Sequence, residues 1–304
     1  MSSLTLTSPA KLNLFLAVTG MRADGYHDLV SLVSPVEFGD ELHVELTTGR
    51  EITLVCDDPA LATDESNLIV RAAMAFKRQA PFEGGARFVL KKRIPLGAGL
   101  GGGSSNAAAA LLALNRLTGS PLADGRLSAL ASDIGSDCAL FLAGDAVVMR
   151  GRGEIIEGLP LAARSRLVGR NVWIIKPSVG VSTPWAYRML AAEAPRSYLP
   201  AVEAEQRLGK WIDTPALPLS SLLFNSFEPV VFRKFIALPL LLKQLADAFG
   251  FAALLSGSGS ACFLFAREGS VEPPAAAVED MVRSAWGREA FVVETRLLHG
   301  QGQR

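Results

Sequence analysis

A glycine-rich loop between a strand and a helix constrains this chain of 304 residues more than any other feature. Residues 95–106 read PLGAGLGGGSSN; residues 86–94 are typical of a strand and residues 107–117 of a helix. Glycines let backbone N–H groups approach an anion, and the first turn of a helix favours negative charge. The sequence therefore predicts a phosphate-binding loop, with Ser104, Ser105 and Asn106 as N-cap residues and polar donors.

Three other interpretations of this loop are weaker. A flexible linker would seldom lie between an apolar strand and an immediate helix. The spacing Gly97-x-Gly99-x-x-Gly102 matches a dinucleotide-binding fingerprint, but the helix leads to a second helical segment instead of a strand that ends in an acid. A Walker loop would end in Gly-Lys-Ser/Thr, and this loop does not.

Composition and charge narrow the class of protein. Lysine plus arginine number 30 and aspartate plus glutamate number 30, so the balance predicts neither nucleic-acid nor membrane partners. The first residues lack a secretory pattern, and no apolar run reaches the roughly 20 residues that span a bilayer. The cysteines at 56, 138 and 262 are far apart, which favours reduced thiols. We expect a cytoplasmic enzyme with small-molecule partners, as a monomer or weak homodimer.

The pattern of elements predicts an α+β chain with two domains, residues 1–160 and 161–304. Lys11 and Asn13 fall on one face of a first strand. The further expected features are a turn at 22–27 (RADGYH), a hairpin around 48–50, a capped helix from 67, a hairpin around 151–153, and a strand-turn-strand unit around 256–260 (SGSGS). No element is assigned to residues 195–218.

Several of these segments together resemble the motifs of the GHMP kinase superfamily, whose small-molecule kinases use a glycine-serine loop in place of the Walker loop. The resemblance runs from about residue 8 to residue 298. Its motifs are SPAKLNLFL (8–16), RADGYH (22–27), NLIVR (67–71), the loop at 95–106 and SGSGS (256–260). It implies an N-terminal domain like domain 2 of ribosomal protein S5, a C-terminal ferredoxin-like α/β sandwich, and an active site in the cleft between them.

Within the superfamily, the RADGYH turn resembles that of kinases acting on a cytidine diphosphate derivative of methylerythritol. The resemblance implies phosphorylation of the 2-hydroxyl of this compound by ATP, in the non-mevalonate route to isoprenoid precursors. It also implies Asp137 as the base that accepts the hydroxyl proton, with Lys11 keeping that carboxylate ionised. A plain salt bridge is the alternative for this pair. Cys138 and Ala139 replace the valine and proline that usually follow the acid.

The resemblance also implies the ligand contacts. Tyr26 and His27 would bind the cytosine ring, with Tyr187 preferred over Trp185 as the second aromatic. The substrate-binding set is Asn13, Tyr26, His27, Asp137, Thr183, Tyr187, Gly257 and Ser258. The ATP-binding set is Asn67, Pro95, Gly97, Ala98, Gly99, Leu100, Gly101, Gly102, Gly103, Ser104 and Ser105, chiefly through backbone amides. Lys91, Lys92 and Arg93 either approach the adenine or are ordinary surface.

Magnesium is expected with the ATP, held mainly by phosphates, water and a serine, because residues 107–114 contain no acid. Two other functions stay open. One is another GHMP kinase, such as a mevalonate or homoserine kinase, which would have no use for the aromatic residues. The other is a non-catalytic nucleotide-binding or RNA-binding protein, against which Lys11, Asp137 and the neutral charge balance argue.

Overall fold

A computed structural model describes residues 2–267, 269–270 and 272–298, which form two β-sheets with helices packed on them. The strands are β1 (Ser3–Met21), β2 (His27–Thr47), β3 (Ile52–Cys56), β4 (Gly85–Lys91), β5 (Val147–Gly151), β6 (Ile155–Gly158), β7 (Asn171–Lys176), β8 (Phe224–Asn225), β9 (Phe251–Leu255), β10 (Cys262–Ala266) and β11 (Phe291–Arg296). The α-helices are α1 (Leu68–Gln79), α2 (Gly102–Leu117), α3 (Asp124–Ile134), α4 (Cys138–Ala143), α5 (Leu161–Arg164), α6 (Thr183–Ala192), α7 (Ala201–Asp213), α8 (Glu228–Lys234), α9 (Ala237–Phe249) and α10 (Ala275–Trp286).

The first sheet is built on the long antiparallel pair β1 and β2, which the RADGYH turn connects. Its strand order is β3-β4-β2-β1-β8, with β5 paired to β2 and β6 to β5. The register of β1 shifts between Pro9 and Lys11, and such a bulge redirects the side chains that follow it. Lys11 and Asn13 contact each other, so the prediction that they share one face of the strand is confirmed.

The predicted hairpin around residues 48–50 is wrong. Strand β4 lies between β2 and β3, and β3 pairs with β4 in parallel. Phe88 and Leu90 of β4 are buried under α1 and α2, which gives this strand the interior position. A turn pattern predicts a reversal of the chain, but it does not predict which strands pair with each other on either side of the turn. The second predicted hairpin, between β5 and β6, is confirmed.

The second sheet has the order β11-β7-β10-β9, with every neighbouring pair antiparallel. Numbered along the chain this order is 4-1-3-2, with helices in both crossovers, so the predicted ferredoxin-like α/β sandwich is confirmed. Helix α7 lies in the stretch that the sequence left unassigned. Its buried residues Ala204, Leu208 and Trp211 recur at helical spacing, and Pro200 is its N-cap.

The two halves of the chain share one apolar core. Leu14 and Val36 from the first half pack in the same buried cluster as Trp211 and Phe263 from the second. Strand β8 also pairs in parallel with β1 of the first sheet. A division into domains at residues 160 and 161 stays a prediction. Over the described ranges, no helix is both long and apolar enough to cross a membrane.

Candidate active site

Helix α2 begins earlier than the sequence indicates. Gly101 is its N-cap, with a φ of 71° in the left-handed region, and no side chain makes a capping hydrogen bond there. Glycine reaches this conformation without steric strain, so the chain turns into the helix at Gly101. Ser104, Ser105 and Asn106 therefore lie inside the helix, and the prediction that they are N-caps is wrong.

The start of α2 opens onto a cavity of about 240 Å³. In the described part of the chain, the amides of Gly102, Gly103 and Ser104 have no backbone or side-chain acceptor, as expected of the first turn of a helix. An anion in the cavity would satisfy them. The cavity is lined by Leu68, Lys92, Pro95, Leu96, Gly97, Ala98, Gly99, Leu100, Gly101, Gly102, Gly103 and Ser104.

Two residues of the expected ATP-binding set lie outside this lining. The Ser105 amide donates to the carbonyl of Gly101, and its buried hydroxyl accepts from Ser8, so neither group faces the cavity. Asn67 caps α1, with Oδ1 accepting from the Ile69 amide. Sequence reasoning did not assign its neighbour Leu68 to the ATP site, although Leu68 belongs to the NLIVR motif and lines the cavity.

The glycine-rich loop is held against the SGSGS turn and strand β1 through its carbonyls. The Ser256 hydroxyl donates to the Gly99 carbonyl (3.1 Å), and the Ala261 amide donates to the Ala98 carbonyl (3.1 Å). The Lys11 amide donates to the Leu100 carbonyl (3.0 Å). Three motifs that are far apart in the sequence therefore meet at one point, as the resemblance implies.

Asn225 is a second residue that sequence reasoning missed. Its side-chain amide donates to the carbonyls of Leu255 (2.7 Å) and Gly257 (2.8 Å) and accepts from the amide of Phe227 (2.8 Å). It therefore fixes the SGSGS turn to the end of the first sheet. Thr183 and Ser258, both expected at the substrate, share a hydrogen bond between their hydroxyls of 2.7 Å. Asn225 belongs to no motif that the sequence analysis used.

Lys11 is buried where the two glycine loops meet. Its Nζ donates to Oδ1 of Asn13, whose Nδ2 in turn donates to Ser31 Oγ (2.9 Å). Burial lowers the pKa of Lys11, and the negative charge of Asp137 raises it in part. The charge of Asp137 therefore acts on the Lys11 ammonium, and the roles of base and partner for this pair stay predictions.

Asp137 precedes helix α4 and is half-buried. Its carboxylate makes no capping hydrogen bond to the helix, which leaves it free for a ligand. Burial and the Asp137 charge together raise the pKa of Tyr187 to about 12, so this ring lies near the acid. Burial also raises the pKa of Cys138 to about 11, which keeps that thiol protonated at neutral pH and argues against a nucleophile.

Aromatic side chains cluster around Tyr187. The rings of His27 and Tyr187 lie 4.8 Å apart, and Tyr187 packs edge-on against Phe227. Trp185 instead contacts Phe235 and the ammonium of Lys234, away from His27. The preference for Tyr187 over Trp185 thus agrees with the geometry.

Tyr26 and His27 have different surroundings. Tyr26 is 58% exposed, with the guanidinium of Arg152 5.0 Å from its ring centre. His27 Nε2 shares a hydrogen bond of 3.2 Å with Tyr198 Oη. Tyr198 lies in the stretch that received no assignment, so the sequence analysis missed it. This bond fixes the orientation of the imidazole ring.

Glu228 makes the stability of this region depend on pH. Burial raises its pKa from an ordinary value of 4.5 to about 7, although its carboxylate accepts a hydrogen bond from the Leu255 amide. The folded state therefore binds this proton more tightly, and stability falls as pH rises from 4.5 to 7. We expect Glu228→Gln, which stays neutral, to gain up to roughly 3 kcal/mol over wild type at pH 8.

The measurement is denaturant unfolding of both proteins at pH 4.5 and pH 8, with exposed Glu203→Gln as the control. The advantage of Glu228→Gln should disappear at the lower pH, where the wild-type carboxyl is also protonated in the folded state. An equal effect at both pH values would show that ionisation of Glu228 is not what costs stability.

Comparisons with known proteins agree with this geometry. The family model for the GHMP kinases N terminal domain matches residues 67–145. The chain is 40% identical over 271 residues to a 4-diphosphocytidyl-2-C-methyl-D-erythritol kinase from Prochlorococcus marinus (strain MIT 9303), covering 86% of this chain and 84% of the relative. A relative of the same name from Synechococcus sp. (strain CC9902) is 37% identical, with 96% and 97% covered.

Solved structures give the same result. A crystal structure of 4-(cytidine 5'-diphospho)-2C-methyl-D-erythritol kinase matches with a TM-score of 0.73 and 35% identity, covering 96% of this chain and 99% of that one. A homoserine kinase from Cytophaga hutchinsonii matches with a TM-score of 0.72 at 20% identity, covering 99% and 96%. The latter shows the fold alone.

Proposed function

Because the chain belongs to the 4-diphosphocytidyl-2-C-methyl-D-erythritol kinases of the GHMP kinase superfamily, we propose that it transfers the γ-phosphoryl group of ATP to the 2-hydroxyl of that compound. It is an ATP-dependent kinase of isoprenoid precursor biosynthesis. The observation that carries the assignment of the site is the meeting of Lys11, the glycine-rich loop and the SGSGS turn beside Asp137.

Asp137 is the base of the proposed reaction. As the hydroxyl oxygen bonds to the γ-phosphorus, its proton passes to the Asp137 carboxylate, the bond from that phosphorus to the bridging oxygen breaks, and ADP leaves. The carboxylate suits this role because it makes no hydrogen bond to its own helix. In this proposal the Lys11 ammonium, close enough to interact with the Asp137 charge, offsets negative charge on the transferred group.

The glycine-rich loop holds the triphosphate in this proposal. The amides of Gly102, Gly103 and Ser104 supply donors for phosphate oxygens at the positive end of α2. Magnesium bound to ATP would neutralise the β- and γ-phosphate oxygens. The Ser104 hydroxyl, at the start of α2 in the lining of the cavity, would be the protein ligand of this ion.

The cytidine end of the substrate is assigned to the aromatic residues. Tyr187 and Tyr26 offer flat ring faces for a pyrimidine, and His27 offers a ring nitrogen for its polar edge. Asn13, Thr183, Gly257 and Ser258 lie toward Lys11 and complete the proposed substrate side. We propose also that the protein is cytoplasmic, which its three free thiols support. It would act as a monomer or weak homodimer.

An ADP-release assay tests the function, with magnesium and ATP and four acceptors: the cytidyl compound, mevalonate, homoserine and galactose. We expect turnover on the cytidyl compound alone. Tyr187→Ala should raise KM for that acceptor about 5- to 150-fold, because base stacking contributes roughly 1 to 3 kcal/mol, and should leave KM for ATP unchanged.

Trp185→Ala is the matched control for this variant. The two residues lie on the same helix, but Trp185 contacts Phe235 and Lys234 instead of His27. KM for the cytidyl compound should stay near the wild-type value. Turnover on a different acceptor would refute the proposed substrate, and turnover on none would favour a binding protein.

A further inference from the structure

Beneath the glycine-rich loop lies a carboxylate to which the proposed reaction gives no role. Asp40 is on β2, opposite Ser8 of β1, and is completely buried. Its Oδ1 accepts from the amides of Arg93 and Ile94, each at 2.7 Å. Its Oδ2 accepts from Lys92 Nζ at 2.7 Å and from Asn106 Nδ2 at 2.9 Å.

These four donors lie at the two ends of the loop. Lys92, Arg93 and Ile94 come directly before Pro95, whereas Asn106 follows Ser105 in the second turn of α2. One side chain therefore clamps the entry and the exit of the loop to the same strand. Ser8 strengthens the second attachment, because its hydroxyl accepts from Asn106 (2.8 Å) and donates to Ser105 (2.8 Å).

A buried carboxylate with a single cation is a costly way to fill a protein interior. Apolar side chains of similar volume often stabilise a fold equally well or better. A carboxylate can, however, hold two backbone amides and two side chains in one fixed arrangement. That arrangement sets the separation between the entry of the loop and the first turn of α2, where the unpaired amides of Gly102 and Gly103 face the cavity.

We propose that Asp40 is the positioning residue of the ATP site: it fixes both ends of the glycine-rich loop so that the amides of α2 converge on the triphosphate. This inference rests on ATP binding at the loop, as in the proposed function, and is independent of the acceptor. Asp40 itself makes no contact with ATP, since it lies beneath the loop and has no exposed surface.

The test is the affinity for a fluorescent ATP analogue, measured without any acceptor, in Asp40→Asn. Asparagine keeps an oxygen for the amides of Arg93 and Ile94 but turns an NH₂ group toward two other donors, Lys92 and Asn106. The hydrogen bond between residue 40 and Asn106, which holds the helix end of the loop, is therefore lost. We expect Kd for the analogue and KM for ATP to rise about tenfold or more, while KM for the cytidyl compound stays within about twofold of wild type.

An exchange of partners provides the rescue. In the double variant Asp40→Asn with Asn106→Asp, the amide and the carboxylate trade places, and Lys92 keeps an anion nearby. We expect its Kd for the analogue to return to within about threefold of wild type. Asp145→Asn is the matched control, because Asp145 is also a mostly buried, ion-paired carboxylate, bonded to Arg164 and not to the loop.

A lower melting temperature with unchanged Kd and KM for ATP would overturn the proposal, as would a double variant no better than Asp40→Asn. If Asp40→Asn does not fold, Ser8→Ala tests the inference instead. It removes only the hydrogen bonds of the Ser8 hydroxyl to Asn106 and Ser105. Its Kd for the analogue should rise about threefold, and an unchanged Kd would refute the inference. Weakened ATP binding in a protein inactive on the cytidyl compound would refute the proposed acceptor alone.

Discussion

Asp137→Asn is expected to lower kcat by about 10³-fold or more, because asparagine cannot accept the proton of the attacking hydroxyl. The same variant should keep its ATP affinity, and its melting temperature should stay within about 2 °C of wild type. The reason is local: the Asp137 carboxylate caps no helix, so the loss of its charge removes no hydrogen bond of α4. The measurements are kcat, binding of the ATP analogue, and thermal unfolding.

Asp133→Asn is the control for this variant, since Asp133 is exposed near the end of α3, four residues before Asp137. Its kcat should equal that of wild type. A fall of the melting temperature by more than about 8 °C in Asp137→Asn, together with weaker ATP binding, would make Asp137 a structural residue instead of the base.

Gly99→Ala is expected to have the largest effect on stability. Gly99 has φ of 76°, and an added Cβ would lie 2.2 Å from the Ser256 carbonyl oxygen and 3.1 Å from the Gly259 amide nitrogen. Backbone atoms cannot move aside as a flexible side chain can. The glycine-rich loop and the SGSGS turn must therefore separate, and we expect the free energy of unfolding to fall by about 4 kcal/mol.

Gly97→Ala isolates the steric part of this effect. Gly97 lies in the same loop, also with positive φ (59°), but an added Cβ would meet no atom within 4 Å. This variant bears only the cost of the left-handed backbone, about 1 to 2 kcal/mol. Both values come from denaturant unfolding without ligand. Equal losses in the two variants would show that the added Cβ at position 99 is accommodated without a steric cost to stability.

The sequence predicted features that depend on neighbours along the chain. The cap of α1 at Asn67 and the strand-turn-strand unit of β9 and β10 each have a local signal, and both are confirmed. The glycine-rich loop is also where it was expected, between a strand and a helix. The start of α2 was predicted too late in the chain, because any glycine in the run could adopt the conformation that begins the helix. In the structure Gly101 adopts it.

Features that depend on distant partners could not be predicted in this way. The insertion of β4 between β2 and β3 is decided by helices that cover β4, and not by the turn that precedes β3. Asp40 follows a glycine in a strand and has the pattern of an exposed polar residue. It is nevertheless completely buried, and its carboxylate accepts hydrogen bonds from four donors that are distant in the sequence. Tyr198 lies in a proline-punctuated stretch, where its contact with His27 leaves no local trace.

The apolar core that both halves share limits how this protein can change over generations. Leu14 and Val36 pack among side chains such as Trp211 and Phe263, so a substitution in one half alters the packing environment of the other. Recombination that joins the first 160 residues of one relative to the remainder of another would place unmatched surfaces in the middle of the core. We therefore expect an exchange between relatives to preserve the fold only where the core residues contributed by both halves are exchanged together.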